Sequence, residues 1–307
     1  MDVDEGVGTE AVGEPGTGGG PRPRGPWRRA ARRYARRPLG VVALLVLLAI
    51  LVAALLGGRI TPHFVNQIDF VSLNHPVGPT LRGGHLFGTD YLGRDIFSQS
   101  LYALHSTVRI ALLVAAVAGA FGVVVGATAG YAGGWVDAVL MRLVDLVVTV
   151  PALAVLLALL VYISPLTDEH IGFVLMAYMW TGVARVVRAS CLSLREREFV
   201  EAAHASGASP LRIVLRHLLP NCSGPIIVAT TSVFGQFIVL SATLDFFNVG
   251  TTQLSGPTLG NLLADATKYG PIGQVPWWTW AMPALVLILL LACVNFVGDC
   301  LDDVLAG

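Results

Sequence analysis

The polar residues with the clearest capacity for specific interactions lie in one segment, residues 195–221, between two long apolar runs. Its first half, 195–206, favours a helix, and Gly207 suits the left-handed backbone that often ends one. Ser209 and Pro210 are typical of the start of a second helix. The first helix would present small alanines, an apolar edge and a carboxylate. Two uses are open at this point: insertion into a cleft of another protein, or an amphipathic connector on a membrane surface.

Patterns for catalysis, nucleotide binding and metal binding are absent from the sequence. A phosphate-binding loop needs G-x-x-x-x-G-K-[ST], and the single lysine, Lys268, belongs to no such motif. The four cysteines form no C-x-x-C pair, and the seven histidines are dispersed rather than clustered. We therefore expect no enzyme activity, no cofactor and no metal in this chain, and we expect the cysteines to act as small apolar residues.

The composition is that of a membrane protein. Hydrophobic residues make up 54% of the chain, charged residues only 13%, and the mean hydropathy is +0.69. About 20 apolar residues in a helix cross a bilayer. Such runs are found six times, at 39–57, 108–130, 139–163, 170–190, 223–244 and 280–299. The second run carries glycines at four-residue spacing, which places them on one face and allows a neighbouring helix to approach closely. These are Gly122, Gly126 and Gly130.

The region before the first span has two parts of opposite charge. Residues 1–20 are acidic and glycine-rich, with too little apolar surface to fold, so we expect a disordered tail. Residues 22–37 carry eight arginines and no acid. Such a block could bind nucleic acid, but an apolar run follows at once, which favours an anchor near anionic lipid. The run from Leu39 to Leu56 lies late in the chain and is long for a signal peptide, so we expect an uncleaved span.

The distribution of basic residues predicts one orientation. The eight arginines place the N-terminus in the cytoplasm, and six spans return the C-terminus to the same side. The loop 195–221 would also be cytoplasmic and carries four arginines, whereas the loop 245–279 on the other side carries only Lys268. We expect a multi-pass protein of the cell membrane. Pro220 is expected to end the second helix of the charged loop before the fifth span begins.

The charged loop resembles a known motif. The pattern E-A-A-x3-G, followed downstream by L-P, is filled by Glu201, Ala202, Ala203, Gly207, Leu219 and Pro220. It is similar to the cytoplasmic EAA loop of ABC importer permeases of the type I fold. The run RHLLPN at 216–221 is similar to the R-H-I-L-P-N form of the dipeptide/oligopeptide/nickel permease family.

Four further signatures occur in the order that this family shows in its C-type permease subunit. GTDYLGRD at 88–95 resembles G-T-D-x-x-G-R-D, and Asp137, Arg142, Asp145 and Pro151 after Gly133-Gly134 fit G-G-x-x-D…M-R-x-x-D…P. The remaining two signatures are filled by Trp180, Arg185 and Arg188, and by Asn295, Gly298, Asp299, Leu301 and Asp303. The resemblance covers about residues 85 to 303, and five ordered motifs are far more specific than one.

The resemblance implies an all-α, polytopic membrane protein with six transmembrane helices, five of which form the type I ABC importer core. It implies a permease subunit that forms half of a pore. Its implied partners are a second homologous permease, two ATP-binding subunits or domains, an extracytoplasmic substrate-binding protein and membrane lipid, with no nucleic acid. ATP and magnesium would be bound by the ATPase partners.

The same resemblance predicts the site of coupling to the ATPase. A coupling helix would dock in a groove on that partner and move spans four and five as a rigid lever. The residues expected to take part are Phe199, Val200, Glu201, Ala202, Ala203, His204 and Gly207.

The substrate is the least determined part. Di- or oligopeptides are the first expectation, and a nickel chelate, glutathione, haem or an oligosaccharide is the alternative; a membrane scaffold that transports nothing is a distant one. The segment 241–250 departs from the family pattern, because the usual glutamate is absent and Asp245 stands where serine is common. A charge at that depth is expected to face a cavity or water, so Asp245 and Asn248 are candidates for the substrate path.

The predicted organisation follows. Residues 1–37 are the tail and arginine-rich segment, 38–58 the first transmembrane helix, 59–103 an extracytoplasmic loop, 104–300 the core with its coupling loop at 195–221, and 301–307 the C-terminus. The motif 88–95 is expected to be a structural loop in which Asp90, Arg94 and Asp95 pair locally. Asp145 is expected to be solvated or to pair with Arg142.

Overall fold

Long helices dominate the chain. The computed structural model describes residues 33–60, 68–70, 72–80, 84–162, 168–247, 257–270 and 274–306. The long helices are α1 (Pro38–Ile60), α2 (Ile96–Ala132), α3 (Gly134–Thr149), α4 (Ala152–Tyr162), α5 (Asp168–Arg195), α9 (Ser223–Phe246), α10 (Leu259–Lys268) and α11 (Trp277–Ala306). Between α5 and α9 lie α6 (Glu198–Ala205), α7 (Pro210–Ile213), a π-helical turn (Val214–Leu218) and α8 (Leu219–Asn221). The all-α prediction is confirmed.

Five helices in the described part of the chain, α1, α2, α5, α9 and α11, are each long and apolar enough to cross a membrane. The third predicted span, 139–163, is not one helix, because α3 ends at Thr149 and α4 begins at Ala152. Pro151 explains the break: it has no N–H to donate, and it holds Val150 in an extended conformation (φ −85°, ψ 120°).

Two predicted boundaries are wrong for a common reason. The helix expected from 108, after a loop to 103, begins at Ile96, and the last helix continues to Ala306. Both extensions are polar helical turns, which a search for apolar runs does not detect. At the start of α2, the Asp95 carboxylate accepts hydrogen bonds from Ser98 N (2.8 Å) and Ser98 Oγ (2.6 Å).

The glycine face of α2 packs against α5, as its spacing predicts. A Cβ on Gly122 would lie 2.7 Å from the backbone oxygen of Trp180, and a Cβ on Gly130 would lie 2.8 Å from that of Arg188. No side chain larger than hydrogen fits at these distances. The two helices therefore pack backbone against backbone over about two turns and form the centre of the core.

The bundle has two ends, named here after the short helix that lies at each. At the α10 end, Gly57 of α1 approaches Leu101 near the start of α2, and the Trp278 indole donates to the Thr89 carbonyl oxygen (3.2 Å). At the α6 end, Arg37 before α1 pairs with Asp303 near the end of α11. The start of the first helix and the end of the last one therefore lie on the same side of the bundle.

The motif at 88–95 closes the α10 end. Arg94 Nε donates to Asp90 Oδ2 (2.7 Å), its Nη2 approaches Asp265 of α10 (3.4 Å), and His85 Nδ1 lies 3.0 Å from Asp95. The expected local pairing of this motif is confirmed. Because Arg94 also reaches α10, the motif ties the loop to a helix 171 residues further along the chain.

Candidate functional site

The helix α6 forms where the EAA motif predicts one. Its carboxylates Glu198 and Glu201 lie in the first turn, where the helix dipole favours negative charge. Ser206 ends the helix, and Gly207 follows with φ +75°, a conformation in which a Cβ is unfavourable. Ser209 accepts from Arg212 N (3.4 Å), with Pro210 at the start of the next helix. The helix, its glycine end and the following cap are confirmed.

The two faces of α6 differ in burial. Phe199 is 39% exposed, and Glu201, Ala202, His204 and Gly207 are also exposed. Together these five residues form a low, mixed polar and apolar surface, named here the docking face.

The other face of α6 anchors it to the rest of the chain. Val200 is 1% exposed and Ala203 is 9% exposed, and both belong to the hydrophobic core. The apolar edge expected of this helix is therefore offered by Phe199, whereas Val200 and Ala203 contact the rest of this chain. Both side chains pack against residues of this chain and are not exposed to a partner.

The end of α2 supports α6. The Tyr131 ring lies parallel to the His204 imidazole (centroids 6.2 Å apart, 9° between planes), with Tyr131 Oη 3.4 Å from His204 Nε2. Arg195 Nη1 donates to the Tyr131 carbonyl oxygen (3.2 Å). Sequence reasoning missed Tyr131, and no motif signals it. Its contact connects α6 to α2 as well as to the expected spans.

The chain from α7 into α9 is nearly continuous, so the predicted break at Pro220 is wrong. Instead, residues 214–218 widen into a π-helical turn in which Leu219 N donates to the Val214 carbonyl oxygen. Pro220 has no N–H for a regular helical bond, and the wider turn accommodates it without ending the helix. The charged loop is thus joined to α9 by helix rather than by a flexible linker.

Two arginines of α5 pair with carboxylates of α3. Arg188 Nη2 donates to Asp137 Oδ2 (2.6 Å), and Arg185 Nη2 donates to Asp145 Oδ1 (2.9 Å). Asp145 therefore pairs with Arg185, not with Arg142. The two pairs join residues 40 and 51 positions apart, so only the packed bundle brings them together.

The candidate substrate residues lie at the opposite end. Asp245, in the last turn of α9, is 5% exposed and lines a cavity with the hydroxyl-bearing Ser106, Thr107, Ser241 and Thr258. The expectation that its charge faces a cavity agrees with this geometry. Asn248 lies outside the described residues.

In the described residues, no group of three or more His, Cys, Asp or Glu side chains is arranged to hold a metal ion. The arrangement offers an exposed, rigidly anchored helix at one end of a membrane bundle and a buried carboxylate at the other end.

Comparison with known proteins identifies the family. Residues 122–306 match the family described as binding-protein-dependent transport system inner membrane component. Residues 25–76 match the N-terminal transmembrane domain of oligopeptide transport permease C.

Individual relatives agree over most of the chain. An oligopeptide transport system permease protein OppC of Mycobacterium tuberculosis is 33% identical over 89% of this chain and 92% of its own length. A dipeptide transport system permease protein DppC of Alkalihalophilus pseudofirmus is 32% identical over 91% and 89%.

The fold also has a solved counterpart. A chain of the inward-facing MetNI methionine ABC transporter (CY5 native crystal form) superposes with a TM-score of 0.52, at 20% identity, over 67% of this chain and 97% of that chain. This likeness concerns the fold alone. Taken with the family match, it shows a type I importer core. The chain belongs to the binding-protein-dependent transport system inner membrane component family and is a multi-pass permease subunit of an ABC importer.

Proposed function

We propose that this permease imports di- or oligopeptides into the cytoplasm, forming half of the pore with a second homologous permease subunit. Two ATP-binding subunits supply the energy and bind ATP and magnesium, and an extracytoplasmic binding protein delivers the substrate. The names of the relatives support peptides over a nickel chelate, glutathione, haem or an oligosaccharide. The family match also disfavours a scaffold that transports nothing.

The observation that carries the coupling step is the two-faced burial of α6. Val200 and Ala203 hold the helix in the core, while Phe199, Glu201, Ala202, His204 and Gly207 face outward. When a partner bound to this face moves, α6 moves with it, and the elements that pack against Val200 and Ala203 must move as well. The displacement would pass to α5, to α9 through the π-helical turn, and to α2 through Tyr131.

The orientation is part of the same proposal. The Arg37–Asp303 pair brings the first and last helices together at the α6 end, and Arg33, Arg36 and Arg37 directly precede the first helix there. Positive charge concentrates on the cytoplasmic side of membrane proteins. We therefore place both termini and α6 in the cytoplasm and the α10 end outside.

Site-specific crosslinking tests the proposal. A photoreactive amino acid at position 202, on the docking face, should capture an ATPase subunit in intact membranes, and the purified complex should hydrolyse ATP. A probe at position 268, at the other end, is the matched control and should capture no ATPase. If position 202 captures no ATPase while the complex still transports, the assignment of α6 as the coupling helix fails.

Substrate class needs a separate assay. The purified complex with its binding protein, reconstituted in proteoliposomes, should accumulate a radiolabelled leucine tripeptide only with ATP. Accumulation of a nickel chelate or an oligosaccharide, but no peptide, would replace the peptide assignment and leave the permease assignment standing.

A further inference from the structure

A small polar cavity surrounds Asp245 near the α10 end. It holds about 20 Å³, enough for one group of the size of a water molecule. Asp245, Thr107 and Thr258 are 5%, 9% and 4% exposed, so the cavity is built from buried groups rather than from surface side chains. Ile110, Ile171 and Phe237 supply apolar walls. This set is named here the Asp245 pocket.

The chemistry of the pocket favours a positively charged donor. A carboxylate only accepts hydrogen bonds when it is ionised. Ser241 Oγ already donates to the Ile238 carbonyl oxygen (3.2 Å), so its lone pairs remain as acceptors. Thr258 Oγ1 accepts from Asn261 N (3.2 Å) and keeps a second lone pair for another donor. An ammonium group has three donors and the size of one heavy atom, whereas an anion would meet the Asp245 charge.

A second, larger cavity adjoins the pocket. It is an open groove of about 640 Å³ between α2 and α5, lined mainly by Leu112, Leu113, Val114, Phe173 and Met176. Ile110 borders both cavities, and consecutive residues of α5, Ile171 and Gly172, border one each. The flexible Met176 side chain adapts to apolar groups of varied shape. This cavity is named here the apolar groove.

Two opposite charges also border the apolar groove. Arg109 Nη2 lies 3.7 Å from Glu169 Oε1, and the two side chains are 64% and 71% exposed. A pair so long and so exposed is weak and can exchange partners at little cost. Charged side chains in membrane segments face water or protein rather than lipid. A negatively charged ligand group could therefore take Glu169's place beside Arg109.

We propose that the Asp245 pocket and the apolar groove form one subsite for a zwitterionic peptide. The pocket binds the α-ammonium group, the groove binds apolar side chains, and Arg109 meets a carboxylate. This inference rests on the proposed peptide transport and deepens it. The site gives the permease its own selection for a free N-terminus, separate from that of the binding protein.

Photolabelling of the assembled complex tests the placement. A leucine tripeptide with free termini carries photo-leucine either at position one or at position three. Position one should label the strip of α2 and α9 around Thr107 and Ser241, and position three should label the groove side of α5 around Phe173. Labels on other helices, or none within the bundle during turnover, would overturn the proposal. The proposal is also wrong if a photoreactive lipid or the second permease is crosslinked to the groove and the peptide leaves no label there.

Transport by variants tests the chemistry. Asp245→Asn keeps the shape of the side chain and removes the charge, so uptake of the free tripeptide should fall by about tenfold or more. Thr107→Val serves as a second variant if Asp245→Asn fails to assemble with its partners. Asp302→Asn removes an exposed carboxylate of α11 and should leave uptake within about twofold.

The outcomes separate the two proposals. Binding of the tripeptide by the isolated binding protein is measured alongside and is the same for every permease variant. If the Asp245→Asn complex takes up the tripeptide as fast as the wild-type complex does, this inference is wrong, and the proposed peptide transport still stands. A wild-type complex that transports no peptide overturns both.

Discussion

Cys191 Sγ lies 3.7 Å from Cys222 Sγ, although the two residues are 31 positions apart. Both side chains are fully buried, and they stand where α5 leaves the bundle and where α9 enters it. The entire charged loop, with its docking face, begins and ends at this contact. Its base is therefore closed by packed side chains and not by loosely placed chain ends.

Joining the two cysteines should test whether this base moves. Oxidation with copper phenanthroline removes two electrons and two protons from the thiols and forms one disulfide, which needs the sulfur atoms to approach to about 2.05 Å. If α5 and α9 move as one unit, the crosslinked complex should keep most of its peptide uptake.

Uptake by the oxidised protein is compared before and after reduction, with Cys191→Ser as the variant that cannot crosslink. A reversible loss of uptake in the wild type alone would show that α5 and α9 separate during transport, contrary to the rigid-lever proposal.

Charges on the two faces of α6 should have different effects. Ala202→Asp lies on the docking face, so the permease should fold and assemble normally in the membrane but bind the ATPase poorly. Ala203→Asp buries an unpaired carboxylate, at a cost of about 3–5 kcal/mol in folding free energy. Size-exclusion chromatography of the solubilised protein and ATPase co-purification measure the two effects. Equal behaviour of the variants would contradict the burial of Ala203.

Gly207→Asp should uncouple transport without unfolding the chain. A Cβ at Gly207 meets no atom within 4 Å, and aspartate is among the residues that tolerate positive φ. The added side chain would instead obstruct the docking face, so uptake should fall by about tenfold or more, as for a central interface residue.

Gly134→Asp is the matched control for Gly207. Gly134 also has positive φ (54°) and open space around its Cβ position, but it lies outside the docking face. Similar losses in both variants would indicate a general cost of backbone strain, and wild-type uptake in Gly207→Asp would refute the role assigned to this residue.

Larger side chains on the glycine face of α2 should destabilise the bundle. A Cβ on Gly126 would lie 2.9 Å from Val187 Cβ and would also meet the Ala184 backbone. Gly126→Val should cost about 1–3 kcal/mol in folding free energy through overpacking. Gly182→Val on α5 meets no atom within 4 Å and is the control. Thermal unfolding in detergent compares them, and an equal loss would contradict the α2–α5 packing.

Local sequence rules predicted much of this fold. The glycine spacing of α2, the left-handed Gly207 and the cap at Ser209 each depend on a few neighbouring residues. The apolar runs likewise located the five described helices that are long enough to cross a membrane, because twenty apolar residues have few alternatives there.

The contacts that could not be predicted are those decided by residues distant along the chain. Burial of Val200 and Ala203 depends on the elements against which α6 packs, and the Arg185–Asp145 pair depends on how α3 lies against α5. Tyr131 supports α6 only because α2 ends beside it. The pairing of the Asp245 pocket with the apolar groove is of the same kind, since it requires the crossing of α2 with α5 and α9.

The uninterrupted length of α2 links the two ends of the molecule. Its 37 residues extend about 55 Å, well beyond the hydrocarbon core of a bilayer. One extremity is fixed by the Asp95 cap within the 88–95 motif, and the other carries Tyr131 against α6. A stiff rod of this kind converts a tilt at one membrane surface into a displacement at the other with no intermediate joint. Under the proposed function, docking of the binding protein at one end and closure of the ATPase at the other would both displace this same helix.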